Sequence, residues 1–470
     1  MMLRKASVQQ KSDFSVAIVG GGIGGLAVAI ALRDIGLNVS VYERDRHFDD
    51  RRQGYGLTLT KNAKGPLAKL GLLEKCISND CFSDCHWVFD PCGEVYGYYG
   101  THFKQNKKDG EAGEMRTGGN LRIPRQELRQ MLLNKIPSSD IYWGKKLTGY
   151  EERENKVALR FVDSSVTHQG FEMDEIEIEA DLVIGADGLR SSVRLIRDNK
   201  FSGSLHTPLQ YIGISVIIGI SEIEHDLLNQ RGFYVLDGSQ RLFTMPFRSK
   251  QENKSLDGSE RSDAHSPHLT MWQLSFSGLL ESEALLLKTA SPAELLAEAS
   301  RRTQNWFSPV PEMILNTPAA EVWGTPLYDR DPMPPTPKSH AKYKSRVTVI
   351  GDACHPMSMF KGQGANQALE DGPLLAAWLG QPGLKKTNIS TRLRCFEREM
   401  CARSGSKVLA SREAAEYLHS PSVIGKNFGI SGVESGMSDE LLVQLRHLDI
   451  GAQLGEKLEE QVSKVLSGLG

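Results

Sequence analysis

Apolar residues gather in short unbroken runs that stop at glycine and acid, and further along in runs spaced like the strands of a sheet. Val16-Ala17-Ile18-Val19 is a continuous apolar run of the kind buried on both faces of a parallel sheet. Gly20-Gly21-Gly22-Ile23-Gly24-Gly25 follows, and Leu26 to Leu32 is apolar enough for a buried helix. The order is strand, tight turn, helix. A second apolar strand, Val39-Ser40-Val41-Tyr42, ends at Glu43. Leu182-Val183-Ile184 stops at Gly185-Ala186-Asp187-Gly188, and Arg346 to Ile350 stops at Gly351-Asp352, ahead of a helix predicted from Asn366 to Leu379. Extended Leu121-Arg122-Ile123-Pro124 leads into a helical spacing, Leu128, Met131 and Leu132, that opens at Arg125.

The middle of the chain reads differently. Strands are predicted at Tyr211 to Ile220, Gly232 to Leu236, Arg241 to Phe247 and Leu269 to Phe276, and aromatics between Cys81 and Gly100 (Trp87, Phe89, Tyr96, Tyr98, Tyr99) are strand-like. Residues 101–120 are polar and glycine-rich, Ser249 to His268 is a charged, serine-rich insertion, and Asp331 to Pro337 is proline punctuation. The end is helical in pattern: Ser438 is a candidate N-cap before Leu441, Leu445 and Leu448, and Leu454, Leu458, Val462 and Val465 repeat the spacing.

Gly20, Gly22 and Gly25 occupy the three positions of G-x-G-x-x-G, with Gly24 between them. Absent side chains there let the turn bend, the backbone approach a pyrophosphate, and the helix pack on its strand. The helix N-terminus, worth about half a positive charge, faces the phosphates. Glu43 stands where such folds place a carboxylate on a ribose, with Arg44 next to it. Alone, the glycines also fit an ordinary strand-to-helix turn. Strand, helix, second strand and terminal acid agree, so a bound dinucleotide is expected. Arg125 at its helix start can reach a phosphate or ribose, or be solvated.

Gly20 to Glu43, Ile123 to Leu128, Asp181 to Ser191, and Gly351 through Gly362-Gln363-Gly364-Ala365-Asn366 to Asp371 together resemble the single-component FAD-dependent aromatic hydroxylases, the class A flavoprotein monooxygenases typified by para-hydroxybenzoate and salicylate hydroxylases. The resemblance spans roughly residues 14–420 and matches least in the middle. It implies an α/β chain in which a Rossmann-like FAD-binding domain (13–80, 121–198 and 341–385) is interleaved with an α+β substrate domain on a mainly antiparallel sheet (81–120 and 201–330), followed by a helical C-terminal region (386–470). It implies that Arg125 contacts FAD, that Asp187 and Gly188 touch the FAD side and the passing nicotinamide, and that Asp352 binds the ribityl chain. Gly362, Gly364, Ala365 and Asn366 would lie along the flavin ring. Met359 replaces a proline present in many relatives, which alters the wall beside the ring.

The implied activity is hydroxylation of a small aromatic or conjugated substrate with NADH or NADPH as a transient co-substrate and O2, through a C4a-hydroperoxyflavin. Epoxidase or reductase chemistry on the same scaffold, or a non-catalytic flavin-fold protein that binds partners, are the alternatives. No catalytic base is assigned. Thr58, with Arg51 or Arg52 nearby, and Tyr211, Tyr234, Met245 and Trp272 are candidates for the substrate wall, although core packing explains apolar strand residues equally well.

Composition agrees with an enzyme of this kind. At 470 residues and 40% hydrophobic, the chain can bury more than one core. A net charge of -2 without a basic patch argues against nucleic acid. No apolar run approaches the roughly 18 residues of a membrane span, and the polar start, Met1 to Asp13, does not read as a secretory signal, so a cytoplasmic monomer or homodimer is expected. Seven cysteines are an odd number, not a disulfide framework. Cys76, Cys81, Cys85 and Cys92 around His86 lack paired spacing, so no metal site is expected, and Cys354 is not expected to be redox-active.

Overall fold

Five strands run parallel in one sheet, in the order Val347–Val349, Leu182–Gly185, Ser15–Val19, Asn38–Tyr42, Ile141–Tyr142. The computed structural model describes residues 13–50, 55–83, 85–100, 119–164, 175–200, 207–228, 231–247, 269–333, 345–385 and 387–424. The first three strands named are those whose apolar runs stop at glycine and acid, and they are neighbours. Val19 pairs with Gly185, and Gly185 with Val349. Three segments far apart in sequence therefore end side by side at the C-terminal edge of one parallel sheet, where open α/β sheets receive ligands.

Helices Ile23–Asp34 and Gly364–Leu379 pack tightly together beside these ends. A Cβ on Gly372 would sit 2.7 Å from the Ala27 carbonyl oxygen, so the absence of a side chain sets how close the helices come. That approach carries the N-terminus of Gly364–Leu379 to the same sheet edge as the first helix. The late helix starts two residues before the predicted Asn366, because Gly362 turns the chain with φ 60° and Gly364 already has helical geometry.

The second large sheet has seven strands: Trp323–Asp329, Gln210–Glu222, Leu269–Ser277, Gln240–Phe247, Arg231–Leu236, Cys85–Phe89 and Val95–Gly100. Neighbours run antiparallel except Arg231–Leu236 and Cys85–Phe89, which are parallel. Its residues alternate between two cores. Trp87, Phe89, Ile217, Phe233, Trp272, Leu274 and Phe276 face one way and meet Leu295, Val310, Met313 and Ile314 of the helices Pro292–Thr303 and Val310–Leu315. Val88, Val216, Ile218, Tyr234, Phe243, Met245 and Met271 face the other way, with Phe360 and with Ala415 and Leu418 of the long helix Ile389–Leu418.

Lys145–Glu152, Val157–Asp163 and Glu175–Ala180 form a three-stranded antiparallel sheet, within the stretch 121–198 that the sequence assigns to the FAD-binding domain without predicting these strands. The alternation in Glu175-Ile176-Glu177-Ile178-Glu179 was the missed signal. The helix Ile389–Leu418 is tied to the large sheet by Arg412, whose Nε and Nη2 reach Asp329 at 2.8 and 2.9 Å. The predicted insertion from Ser249 to His268, most of the 101–120 segment, Arg51, Arg52 and the helical pattern of Ser438 to Val465 lie outside the described residues. Among those described, no helix is long and apolar enough to cross a membrane, and no cluster of His, Cys, Asp or Glu is placed to hold a metal.

Candidate functional site

The turn after Ser15–Val19 is built by backbone contacts that leave no room for side chains. Gly20 has φ 110°, and a Cβ on Gly25 would lie 2.0 Å from the Gly20 carbonyl oxygen. Gly22 is the opposite case, since nothing lies within 4 Å of where its Cβ would point. Two glycines close the turn, and one opens it to a visitor.

Glu43 is buried and accepts hydrogen bonds from the Gly21 amide at 2.6 Å and the Asp45 amide at 3.0 Å, which fixes its carboxylate against the turn. Arg129 braces the same loop from below. Its Nε donates to the Gly21 carbonyl at 3.0 Å and its Nη1 to Phe48 at 3.1 Å, while Phe48 and Trp143 lie at 5.1 and 5.5 Å from the guanidinium carbon. Sequence reading stopped at Arg125 and missed Arg129, although four residues along a helix share a face.

Asp187, expected at the ligand, also has a part in the fold. Its carboxylate accepts from the Ser191 hydroxyl, the Ser192 amide at 2.7 Å and the Val193 amide at 3.2 Å, capping the helix Ser192–Lys200. Burial pushes its pKa up while these hydrogen bonds pull it down. Gly188, with φ 80° and open space at its Cβ position, leaves room beside this turn for a ligand.

At the third strand end, Asp371 is fully buried and accepts from the Gly351 amide at 2.8 Å, from His355 Nε2 at 2.9 Å and from Arg403. Burial depresses the His355 pKa, but the adjacent Asp371 carboxylate outweighs it and lifts it to about 9. His355 is therefore the cation of a buried pair at neutral pH. Arg194 ties the middle segment to the late one, donating to the carbonyls of Ala353 and Cys354 at 3.2 and 3.0 Å. Asp352 lines the floor of a cavity, where burial pushes its pKa up against the pull of His355 and Arg125. Asn366 clamps the strand Gly56–Thr60 to the Gly362 loop: its Nδ2 donates to Thr58 O and Gly362 O at 2.9 and 2.8 Å, and its Oδ1 accepts from the Thr60 amide at 2.9 Å.

Two cavities meet over this edge. A cavity of about 490 Å³ is lined by Gly22, Gly24, Thr58, Arg125, Gly188, Asp352, Gly362, Gly364 and Ala365 on one side. His86, Tyr234, Arg241, Phe243, Met245 and Gln273 of the large sheet line the other. A second cavity, about 180 Å³, is lined by Gly20, Gly22, Glu43, Arg44, Arg125, Arg129, Asp187 and Gly188. Gly22, Arg125, Ala186 and Gly188 line both, so the two are the ends of one elongated cleft. Its narrow end is polar, and its wide end is roofed by aromatic side chains.

The match to known sequences supplies the ligand class, because residues 13–260 match the FAD binding domain family. The chain belongs to that FAD-binding family. Its curated relatives include a 3-amino-4-hydroxybenzoate 2-monooxygenase of Streptomyces platensis, 28% identical, with 86% of this chain and 89% of the relative covered. Another is the 6-hydroxynicotinate 3-monooxygenase of Pseudomonas fluorescens, 26% identical, with 78% and 83% covered. Among solved structures, Klebsiella pneumoniae HpxO complexed with FAD and uric acid shares the fold with a TM-score of 0.66 at 20% identity, covering 99% of this chain and 100% of the other. So does 2,6-dihydroxypyridine-3-hydroxylase of Arthrobacter nicotinovorans, with a TM-score of 0.67 at 19% identity and coverage of 91% and 100%.

For an FAD-binding chain the cleft has a fitting shape, since a dinucleotide has a polar nucleotide end, a pyrophosphate waist and a flat ring end. Of the residues selected from sequence, Gly25 closes the turn, Asn366 lines a polar side pocket beside Thr58, and the rest line the cleft. Of the substrate-wall candidates, Thr58, Tyr234 and Met245 line the wide end, and Tyr211 and Trp272 do not. Trp272 is fully buried on the opposite face of the sheet, its indole N–H donating to Thr317 Oγ1 at 2.9 Å. Side chains alternate across a strand, so Met271 and Gln273 look toward the cleft and Trp272 away. Tyr211 precedes a break in register at Ser215 and turns its hydroxyl toward Ser215 and the Leu279 carbonyl. Sequence reading missed His86, Arg241 and Gln273. Burial, aided by nearby Arg122, holds the His86 pKa well below its usual value, so it lies neutral against Phe243, ring centres 5.7 Å apart.

Proposed function

We propose that the chain is an FAD-dependent monooxygenase that uses NAD(P)H and O2 to hydroxylate a small aromatic or conjugated compound. The observation that carries this reading is the single cleft whose polar end is built by the glycine turn and whose wide end opens beneath the aromatic-rich sheet. Relatives named as monooxygenases of hydroxylated benzoates and nicotinates support the same reading. The organisation we favour is an FAD unit assembled from 13–80, 121–198 and 341–385, a substrate unit from 81–120 and 201–330, and a helical remainder.

Bound FAD would supply the redox chemistry, taking electrons from the nicotinamide and activating oxygen. The residues of this chain position it and shield it. Gly22 and the amides opening Ile23–Asp34 would hold the pyrophosphate, Glu43 the ribose, and Arg44 the adenosine edge. Arg125, shared by both cavities, would neutralise phosphate charge. Asp352 would meet the ribityl chain, and the backbone of Gly362, Gly364 and Ala365, at the N-terminus of Gly364–Leu379, would stabilise negative charge on the ring. Gly188 would leave the ring edge open on the second side. Tyr234, Phe243, Met245 and Phe360 would keep water from the reacting face. Neutral His86 faces the same space; its depressed pKa makes it a weak base, so its role there is as a hydrogen-bond partner for a polar ring substituent.

Purified protein should be yellow, and NAD(P)H should bleach it without oxygen. With labelled O2, one labelled atom should enter the product. A protein that takes up no added FAD, or a turned-over substrate carrying no label, removes this reading.

A further inference from the structure

Arg241 is 3% exposed and lines the wide end of the cleft. Its Nε and Nη1 have no hydrogen-bond partner, and among the described residues no carboxylate pairs with it. Three rings surround the guanidinium instead, Tyr234 at 4.8 Å, Phe243 at 5.1 Å and Phe360 at 5.1 Å. Aromatic faces attract a cation but do not accept its N–H groups in the planar fork that guanidinium offers. Arg194, equally buried, shows what a structural arginine looks like here, with Asp198, two carbonyls and Thr207 all engaged. A buried, unpaired charge is costly to keep, and an apolar side chain would fill that place more stably.

We propose that Arg241 is the anion-recognition residue of the substrate end, and that the cleft takes an aromatic ring bearing a carboxylate. The guanidinium fork matches a carboxylate with two parallel hydrogen bonds. Arg241 and Phe360 are in contact, and Phe360 belongs to the Met359–Lys361 segment leading to the Gly362 loop. A ring anchored by its carboxylate at Arg241 therefore extends among Tyr234, Phe243 and Met245 beside the place proposed for the flavin. His86 and Gln273 share that wall and meet the ring's other polar substituents. This assignment rests on the monooxygenase reading and sharpens it to aromatic acids.

The test uses FAD-loaded protein and the flavin absorption spectrum, without turnover. The probes are 2-, 3- and 4-hydroxybenzoate and 2-aminobenzoate, each paired with its own carboxamide. At least one acid should perturb the spectrum and bind about tenfold or more tightly than its amide. Arg241→Gln should narrow that ratio to below about threefold, and Arg241→Lys should restore part of it. Wild-type protein that binds amides as well as acids, or that binds none of the acids, overturns the proposal, as does a glutamine variant that keeps the preference. Flavin content shows whether each variant has folded, and if neither has, the wild-type acid-to-amide ratio decides alone. A protein that bleaches with NAD(P)H but ignores the carboxylate refutes only this assignment. One that binds no FAD refutes the function itself.

Discussion

The two ends of the cleft are made of different material. At the narrow end the chemistry belongs to the backbone: glycines without side chains, helix N-termini and strand ends, with Glu43 and Asp187 already hydrogen-bonded to amides. At the wide end it belongs to side chains standing on a sheet, and one of them, Arg241, is left unpaired. A backbone site is preorganised whether or not a ligand is there, because its geometry is the fold's own geometry. A side-chain site on a sheet keeps the fold while its occupants change, so it is the end free to set specificity.

The largest effect expected is therefore at the narrow end. Gly25→Val places atoms where the Gly20 carbonyl stands 2.0 Å away, and backbone cannot yield there. The variant should fail to fold or emerge colourless. Gly22→Ala meets open space, so the flavin-free protein should keep its melting temperature while flavin affinity falls. Equal losses of melting temperature in both would mean that the turn is merely structural.

Next is Asp371→Asn, which leaves His355 and Arg403 facing a neutral amide in a buried site, at a cost of about 3–5 kcal/mol. The pH dependence has a definite sign. The folded pKa of His355 is raised from 6.5 to about 9, so the pair's stabilisation is whole below the first value and is lost as pH rises through the second. The gap in melting temperature between wild type and Asp371→Asn should narrow across that window, and a gap that widens would contradict the pairing. Arg403 should keep it from closing fully.

Asp352→Ala removes a carboxylate that faces the cleft and, among the described residues, feels His355 and Arg125 only through its charge. Flavin should dissociate about 10–100-fold more readily, with thermal stability of the flavin-free protein little changed. Equilibrium dialysis against FAD measures it, and wild-type retention would mean that Asp352 holds no part of the cofactor.

The same contrast explains what could be read from the residues. Gly20, Gly22 and Gly25, Glu43 and Gly351-Asp352 were legible because a backbone site needs particular residue types at fixed spacing, and spacing is what a sequence displays. Arg129 and Arg194 were not. The carbonyls they hold, those of Gly21, Phe48, Ala353 and Cys354, are set by the tertiary path and not by neighbouring residues. On the large sheet the strands were visible but the faces were not, because both faces are apolar, one covered by Pro292–Thr303 and Val310–Leu315 and the other shared by the long helix and the cleft. His86 and Arg241, polar residues within apolar strands, were the clue that one face was not ordinary core.

The smallest effect tests that argument about faces. Trp272→Phe loses one hydrogen bond and some volume beneath Pro292–Thr303 and Val310–Leu315, while Thr317 keeps its bond to the Met313 carbonyl at 2.8 Å. It should cost about 1–2 kcal/mol of stability and leave kcat/KM for an accepted substrate within about twofold. Met245→Ala, on the other face, should raise KM because its side chain borders the cleft, and, since that side chain is also buried among Val88, Tyr234 and Phe243, it should cost about 2–5 kcal/mol of stability as well. If Trp272→Phe altered KM and Met245→Ala did not, the two faces would have been assigned the wrong way round, and the wide end of the cleft would not be where substrate binds.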